Sequence, residues 1–211
     1  MARNRVSEAV IRRLPKYYRF LQEMDKNGIE RVSSQEMSRR LGLTASQIRQ
    51  DFNCFGGFGQ QGYGYNVSEL RKEITRILGL GRVYNAIIVG AGNLGQALAN
   101  YIGFEREGFQ IKAVFDINPR LIGMSIRGIE VMDIDYMEEY IRENDIQMAI
   151  LAVPKSKAQE MADKLVGYGI RGIWNFAPID VEVGEDVSVE NVHLSDSLYI
   201  LSYRMKDKEE E

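Results

Sequence analysis

The sequence predicts an α/β protein with two different folding units, an N-terminal winged helix-turn-helix domain and a C-terminal Rossmann-like domain built on a parallel sheet. Two short capped helices around a glycine, followed by a stretch that alternates glycine with aromatic residues, predict the first unit. After residue 81, short apolar runs alternate with helical patterns, as in parallel sheets flanked by helices. We therefore place the domains at residues 1–80 and 81–192, followed by a C-terminal helix and charged tail at 193–211.

The composition of the 211 residues excludes several classes of protein. No apolar run approaches the roughly 18 residues of a membrane span, and the N-terminus lacks the apolar core of a signal peptide. One Cys and one His are too few soft ligands for a structural zinc site. We expect no membrane and no metal partner, and the single Cys54, which can form no internal disulfide, fits a reducing cytoplasm.

Charge is distributed unevenly along the chain. Residues 1–80 carry 14 Lys and Arg against 8 Asp and Glu, whereas residues 81–211 carry 13 against 22. A basic half joined to an acidic half indicates that only the first half meets a polyanion such as DNA. Chance variation of surface residues would give the same asymmetry.

The N-terminal elements follow from helical spacing and capping residues. A first helix is predicted over about residues 7–24, where Pro15 should bend or split it. Ser33 begins a capping box that opens a short second helix, and Gly42 ends that helix. Thr44 caps the next short helix, which completes the helix-turn-helix.

The second helix of such a motif lies in the major groove, with its first residues on base edges. Arg pairs with guanine and Gln with adenine, and a capped helix N-terminus suits a phosphate. The predicted DNA-contacting residues of this helix are Thr44, Ser46, Gln47, Arg49 and Gln50.

The glycine- and aromatic-rich stretch over residues 52–65 predicts a hairpin, which directly after a helix-turn-helix would be a wing. Its tip around residues 60–61 would enter an adjacent minor groove. The predicted DNA-contacting residues of the wing are Phe58, Gly59, Gln61 and Tyr63. A winged helix that contacts protein instead of DNA is the alternative. A helix over residues 68–78, ended by Gly79, closes this domain.

A glycine motif follows the first apolar strand of the second domain, predicted at residues 86–89. Gly90 makes the turn out of the strand, Gly92 lets a pyrophosphate approach the backbone, and Gly95 lets the next helix pack close to the sheet. That helix is predicted through residues 97–102, and the N–H groups at its start would hold phosphates. A structural glycine-rich turn is the alternative interpretation.

Asp116 ends the second strand, predicted at residues 111–115, and lies 21 positions after Gly95. Its carboxylate would accept hydrogen bonds from the hydroxyls of the adenosine ribose and repel a 2′-phosphate. The sequence therefore favours NAD and NADH over their 2′-phosphorylated forms, although Arg120 would soften the repulsion.

Further strands are predicted at residues 148–153, 172–175 and 187–192, with a helix over residues 156–166. The ends of two of these strands offer apolar walls for the nicotinamide, which would favour the neutral ring of NADH over the charged ring of NAD⁺. Alternatively, Pro154 and Pro178 after these strands only mark the start of a loop. The predicted cofactor-binding residues are Gly90, Ala91, Gly92, Asn93, Leu94, Gly95, Asp116, Ile117, Val153, Pro154, Asn175, Phe176, Ala177 and Pro178.

No catalytic residue is predicted. Hydride transfer needs a group that takes or gives a proton. The only His, His193, lies far down the chain, and Lys155 and Lys157 are more typical of solvated surface charges. We therefore do not expect an enzyme.

Taken together, these residues resemble the Rex family of redox-sensing transcriptional repressors over about residues 5–205. The segments that carry the resemblance are SQIRQD at 46–51, FGGFG at 55–59, GYGY at 62–65, IIVGAGNLG at 87–95 and GIWNFAP at 172–178.

The resemblance implies a cytoplasmic homodimer on a palindromic operator of double-stranded DNA, which represses genes of fermentation and NADH reoxidation. NADH would release the protein from DNA, and NAD⁺ would permit binding. It also implies that the C-terminal helix, at residues 194–205, is swapped and packs between the two domains of the partner. Tyr101 matches a family tyrosine of the NADH response, and Arg13 and Arg19 match basic positions near the domain junction.

Three residues depart from the family pattern. Gln50 stands where many relatives carry Lys, and Gln61 where many carry Arg, so phosphate or groove contacts should be weaker and less dependent on salt. His193 stands where some relatives have Asp, and a neutral His would not fully replace a carboxylate that pairs with an Arg of the first helix.

Two other functions stay open at this point. One is a small NAD-dependent oxidoreductase with a DNA-binding appendage. The other is a regulator that responds to CoA or another nucleotide, because similar sheets bind CoA and a glycine-rich turn alone does not exclude it.

Overall fold

The computed structural model describes residues 6–56 and 63–209. The described chain divides into two compact units, of which the first extends to Arg82 and the second begins at Val83. The sequence placed this boundary between residues 80 and 81. The predicted wing residues Phe58, Gly59 and Gln61 lie outside the described residues.

The first unit is helical, with one pair of very short antiparallel strands. Its elements are α1 (Glu8–Lys26), β1 (Arg31–Val32), α2 (Ser34–Leu41), α3 (Ala45–Asn53), β2 (Tyr65–Asn66) and α4 (Val67–Ile77). Strands β1 and β2 pair with Arg31 opposite Asn66 and Val32 opposite Tyr65.

The helix-turn-helix is confirmed with the caps that its sequence predicts. The Ser33 side chain accepts a hydrogen bond from the Glu36 amide, and the Thr44 side chain accepts one from the Gln47 amide. Both oxygens satisfy helical N–H groups that would otherwise have no partner. Gly42 ends α2 in the left-handed conformation, at a φ of 64° that only glycine adopts without strain.

Helix α1 is continuous through Pro15, so the prediction that this residue would split the helix is wrong. Proline removes the N–H that would bond to the Ile11 carbonyl. Both Ile11 and Pro15 lie on the exposed side of α1, where water can replace that bond. The apolar face, which carries Leu14, Tyr17 and Leu21, is on the opposite side and keeps the helix in place.

The first residues of the predicted hairpin belong to α3 and the turn after it, and residues 57–62 lie outside the described residues. Phe52 belongs to α3 instead of a wing strand, and its ring is buried between Tyr17 and Tyr65 at centroid distances of 5.0 and 5.1 Å. Burial of this ring in the core outweighs the strand propensity of an aromatic residue. The chain then turns through Cys54 and Gly56.

The second unit is built on a seven-stranded sheet. Its strands are β3 (Tyr84–Val89), β4 (Phe109–Asp116), β5 (Ser125–Ile126), β6 (Ile129–Asp133), β7 (Met148–Leu151), β8 (Gly172–Asn175) and β9 (Ser188–Asn191). Its helices are α5 (Asn93–Asn100), α6 (Gly103–Arg106), α7 (Met137–Glu143), α8 (Lys155–Gly167) and α9 (Asp196–Glu209), with a 3₁₀ turn at Ile134–Tyr136.

The strand order is β5-β6-β4-β3-β7-β8-β9, and every pair except β5 with β6 is parallel. Without the antiparallel edge strand β5, this is the doubly wound order of dinucleotide-binding domains. The order reverses between β3 and β7, so ligands are expected beyond the carboxyl ends of these two strands. The predicted Rossmann-like sheet is confirmed.

Both faces of this sheet are covered by apolar clusters, which explains why its central strands are continuous apolar runs. Ile87 and Val89 of β3 pack with Met161 and Leu165 of α8 on one face. Ile88 packs on the other face with a cluster that includes Ala99.

Several elements differ from their predictions. Helix α5 ends at Asn100, because Tyr101 adopts an extended conformation. Strands β5 and β6 were not predicted, because strands as short as β5 show no alternation and their two-residue turn places Arg127 at a positive φ that arginine rarely adopts. Helix α9 continues to Glu209, beyond the residues 194–205 expected for the C-terminal helix.

Candidate functional site

A crevice of about 720 Å³ opens where the strand order of the sheet reverses. Val89 at the end of β3 and Ala152 just after β7 both line it. The crevice therefore lies at the place where a doubly wound sheet binds its ligand. It contains eight of the predicted cofactor residues: Gly90, Gly92, Asn93, Leu94, Asp116, Ile117, Val153 and Pro154.

The three glycines of the motif have three different surroundings. Gly90 has a φ of 103°, and a Cβ there would collide with the carbonyl oxygen of Ala152. A Cβ on Gly95 would collide with the carbonyl oxygen of Gly90, so α5 approaches the loop closely. A Cβ on Gly92 would meet no heavy atom within 4 Å, and the residue lines the crevice. Gly92 thus leaves open space where a ligand can reach the backbone.

Asp116 fixes the glycine loop to the end of β4. Its Oδ2 accepts a hydrogen bond of 2.6 Å from the Ala91 amide, and its Oδ1 accepts one of 2.8 Å from the Asn118 amide. Each carboxylate oxygen has a second lone pair. The carboxylate can therefore hold the loop and still accept hydrogen bonds from ligand hydroxyls in the crevice.

These residues fit a dinucleotide. The amides of the first turn of α5 have no acceptor within the helix, and Gly92, Asn93 and Leu94 at this helix start line the crevice, where the helix dipole favours negative charge. Ile117 and Val153 add apolar surface on the two sides of the crevice. A pyrophosphate, a ribose and a planar base thus each find the kind of group that binds them.

The sequence did not predict one wall of the crevice. Helix α8 contributes Lys157, Glu160, Met161 and Lys164, which lie on one face because residues three and four apart are neighbours on a helix. Glu160 binds both lysines, with 3.1 Å between each Nζ and the nearer carboxylate oxygen. These two lysines lower the pKa of Glu160. The sequence shows these lysines and the glutamate three and four residues apart after Pro154. Lysine and glutamate at such spacing usually indicate a solvated helix face.

Of the predicted cofactor residues, Ala91, Gly95, Tyr101 and residues 175–178 do not line this crevice. Asn175 is fully buried, and its Nδ2 donates to the Ile179 carbonyl and the Asn191 Oδ1. Its Oδ1 accepts from the buried Ala177 amide. Asn175 and Ala177 therefore shape the loop after β8, and only Phe176 and Pro178 retain exposed surface.

A row of aromatic rings connects Tyr101 with this loop. The centroid distances are 4.8 Å between Tyr101 and Phe104, 5.6 Å between Phe104 and Trp174, and 4.6 Å between Trp174 and Phe176. Tyr101 is more than half exposed at one end of the row. The structure thus joins two predicted cofactor residues, Tyr101 and Phe176, through two rings that the sequence analysis did not single out.

The predicted recognition helix α3 presents a polar face. Ser46, Arg49 and Gln50 are exposed on it, whereas Ile48 and Asp51 are buried on the other side. The Arg49 Nη1 donates a hydrogen bond of 3.0 Å to the Ser34 Oγ at the start of α2. Arg49 is therefore held in place while it keeps further N–H groups for a base or phosphate.

A buried ion pair connects α3 with α1. Asp51 is 2% exposed, and its two oxygens accept hydrogen bonds of 2.7 Å from the Nε and Nη2 of Arg13. The Tyr17 hydroxyl donates a third bond of 2.6 Å to the same carboxylate. Burial, together with Asp51, raises the pKa of Tyr17. Arg13, a basic position in the resemblance, is thus engaged within the first unit.

Two further predicted residues are placed as follows. Tyr63 is 70% exposed, and its carbonyl accepts a hydrogen bond of 3.2 Å from Arg31. His193 Nε2 lies 2.8 Å from the Asp180 Oδ1, so this His is a hydrogen-bonding residue just before α9. Within residues 6–56 and 63–209, no cluster of three or more potential metal ligands occurs, and none of the helices is both long and apolar enough to cross a membrane.

Comparison with known families gives two matches that correspond to the two units. A model described as a putative DNA-binding protein N-terminus matches residues 5–53. A model described as a CoA binding domain matches residues 82–179.

Curated relatives match along almost the whole chain and are named redox-sensing transcriptional repressor Rex. The relative from Caldanaerobacter subterraneus subsp. tengcongensis is 62% identical over 204 residues, which cover 97% of this chain and 91% of the relative. The relative from Clostridium kluyveri is 59% identical over 204 residues, which cover 97% of each chain.

Solved structures of RSP, a Rex-family repressor, are also similar. The crystal structure of RSP in complex with β-NAD⁺ and operator DNA matches with a TM-score of 0.91 and 60% identity, over 97% of this chain and 94% of RSP. The crystal structure of RSP in complex with β-NADH matches with a TM-score of 0.90 and 57% identity, over 98% of this chain and 97% of RSP.

Proposed function

Because this chain belongs to the Rex family of redox-sensing transcriptional repressors, we propose that it binds a palindromic operator as a homodimer and leaves it when NADH occupies the crevice. The protein would then report the ratio of NADH to NAD⁺ in the cytoplasm. The observation that carries the proposal is the crevice itself. It combines an open Gly92, a carboxylate at Asp116 and the start of α5 in a chain that also holds a helix-turn-helix.

The crevice residues would divide the dinucleotide among them. The amides at the start of α5 bind the pyrophosphate, and Asp116 accepts hydrogen bonds from the adenosine ribose. Tyr101, Phe176 and Pro178 would lie near the nicotinamide, where apolar surface favours the uncharged reduced ring. This preference for the reduced ring requires no chemical reaction. The names of the relatives also favour a regulator over an oxidoreductase.

The first unit would contact DNA through α3 and the wing. The exposed Arg49 and Gln50 are suited to base edges, and Thr44 at the capped start of α3 is suited to a phosphate. Ser46 and Gln47 complete the face that enters the major groove. Phe58, Gly59, Gln61 and Tyr63 would contact the adjacent minor groove from the wing.

Helix α9 provides the surface for a second copy of the chain. It has no buried residue, and its large apolar side chains are each more than half exposed. These side chains are Leu198, Tyr199, Ile200, Leu201, Tyr203 and Met205. A stretch of this size exposes more apolar surface than an isolated soluble chain usually does. We propose that residues 193–211 form the dimerisation segment.

Release from DNA requires a difference in affinity. NADH must bind more tightly to a dimer geometry in which the two recognition helices no longer match the two half-sites of the operator. A 100-fold preference of NADH for that geometry supplies about 2.7 kcal/mol, enough to shift the population strongly.

The proposal is tested by measuring operator affinity at a fixed total dinucleotide concentration while the ratio of NADH to NAD⁺ is varied. The operator is first selected from a pool of random double-stranded DNA. We expect affinity to fall by at least tenfold as NADH replaces NAD⁺. Unchanged affinity over the full range of ratios would contradict the proposal.

The same protein is titrated with NADH in the presence of CoA, since one matching family model is described as a CoA binding domain. CoA carries a phosphate on its ribose, which the carboxylate of Asp116 disfavours. We expect CoA not to displace NADH, and displacement at comparable concentrations would favour a CoA-responsive regulator.

A further inference from the structure

The crevice is also lined by a polar group that the proposed function does not yet use. Its polar lining near the glycine motif includes Asn93 and Asp116. Its apolar lining includes Ile117 and Leu121, which follow β4, and Val153 and Met161, which follow β7. The exposed face of α8 adds Lys157, Glu160 and Lys164.

These kinds of group match the parts of a dinucleotide. A pyrophosphate at the start of α5 and a ribose at Asp116 leave the adenine to the rest of the crevice. The faces of adenine are apolar and suit the apolar side chains that follow β4 and β7. Its edge carries an N6 amine that donates hydrogen bonds and ring nitrogens that accept them. Of the groups on α8, a carboxylate accepts from an amine and an ammonium group donates to a ring nitrogen.

Glu160 lines the crevice between two lysines that bind its carboxylate. Lys157 holds its Oε2 and Lys164 holds its Oε1, each at 3.1 Å, so two bonds fix the carboxylate along the face of α8. Each oxygen retains a lone pair for another donor. The side chain of Glu160 is 52% exposed, so a hydrogen bond formed there would be weaker than one in a dry interior.

We infer that Glu160, held between Lys157 and Lys164, is a specificity-determining residue that accepts a hydrogen bond from the N6 amine of the adenine. This inference rests on the proposed function and extends it from the dinucleotide class to the identity of its base. The cluster distinguishes adenine from a base that has a carbonyl oxygen in place of the amine, because that oxygen would face the carboxylate without a donor between them.

The test uses nicotinamide hypoxanthine dinucleotide in its reduced form, which differs from NADH in this group. Dissociation constants of both ligands are measured on the full-length protein by the fluorescence of the reduced nicotinamide. For the unchanged protein we expect NADH to bind about five- to tenfold more tightly, as a partly exposed hydrogen bond to a charged group allows.

Glu160→Gln should bring the two constants to within about twofold, because an amide both donates and accepts. Glu160→Ala should also abolish the preference, since it removes the acceptor. The readout is the ratio of the dissociation constants of the two ligands. A change in the net charge of α8 affects both ligands equally, so it does not change this ratio. Asp163→Asn removes the same charge from α8 at a position outside the crevice, and it should keep the preference of the unchanged protein.

The outcomes separate this inference from the proposed function. Tight NADH binding with no preference over the hypoxanthine analogue, or a preference that persists in both Glu160 variants, overturns the role of Glu160 and leaves the redox sensor intact. Failure of both ligands to bind the unchanged protein contradicts the proposed function itself.

Discussion

Single residues decide what the crevice can accept, and the clearest case is the contrast between Gly92 and Gly95. Both belong to one motif six residues long, and each is glycine for a different physical reason. Gly95 is closed in by the carbonyl of Gly90, whereas Gly92 has open space around the position of a Cβ. Substitution by alanine should therefore weaken ligand binding at Gly92 and lower the stability of the fold at Gly95.

Gly92→Ala should fold normally and bind NADH about tenfold or more weakly, because its methyl group occupies the approach of the pyrophosphate to the backbone. Gly95→Ala should lower the free energy of unfolding by about 2 kcal/mol or more, because its Cβ overlaps the Gly90 carbonyl oxygen and the backbone must shift. Thermal denaturation and NADH titration of both variants measure the two effects. Equal loss of stability in the two variants would show that Gly92 is also structurally required.

The cofactor motif could be predicted at the level of residues because its parts are close in sequence. Gly90, Gly95 and Asp116 lie where the spacing placed them, and Asp116 contacts the loop through Ala91. The Asp51 cluster could not be predicted in this way. Asp51 is 38 residues from Arg13 and 34 from Tyr17, and neither Arg13 nor Tyr17 differs in sequence from an ordinary helical residue.

Among the elements, those with local signals were predicted well. Helices α2 and α3 begin beside Ser33 and Thr44, whose oxygens bond to amides three residues on, so the sequence alone contains the whole interaction. Strands β5 and β6 carry no such signal, because their pairing depends on contact with β4 within the folded sheet. The α8 wall of the crevice was missed for a similar reason, since only the fold brings Glu160 and Asp116 to the same crevice.

Helix α9 carries a prediction at this scale. Leu198→Glu should convert the dimer to a monomer without unfolding the chain, because the side chain is exposed in the single chain and its burial against a second copy would place a charge in an apolar interface. Light scattering coupled to gel filtration measures the mass of the particle, and circular dichroism reports its helix content.

Asp207→Ala is the matched control, since Asp207 lies about half a helical turn away from the face of Leu198. This variant should remain a dimer. A dimer of unchanged stability in Leu198→Glu would place the contact between copies elsewhere on the chain.

At the scale of the whole molecule, the sequence joins a basic first half to an acidic second half, and the structure divides the chain near the same point. Opposite charge on the two halves would direct DNA to the first unit and keep it from the second. In the proposed function the dinucleotide and the DNA bind to different units, and their effects on one another would pass through the geometry of the proposed dimer. Sequence analysis predicted both units but could not describe this coupling, because it depends on two alternative arrangements of the same chain.

Linkage makes this coupling measurable in both directions. If NADH weakens operator binding by a given factor, then operator DNA must weaken NADH binding by the same factor. The most direct test is to titrate NADH into the free protein and into the protein saturated with its selected operator at fixed salt. We predict that the operator raises the dissociation constant of NADH by at least tenfold, equal to the loss of operator affinity in saturating NADH. An NADH dissociation constant that is the same for the free protein and for the operator-bound protein would contradict the proposed coupling.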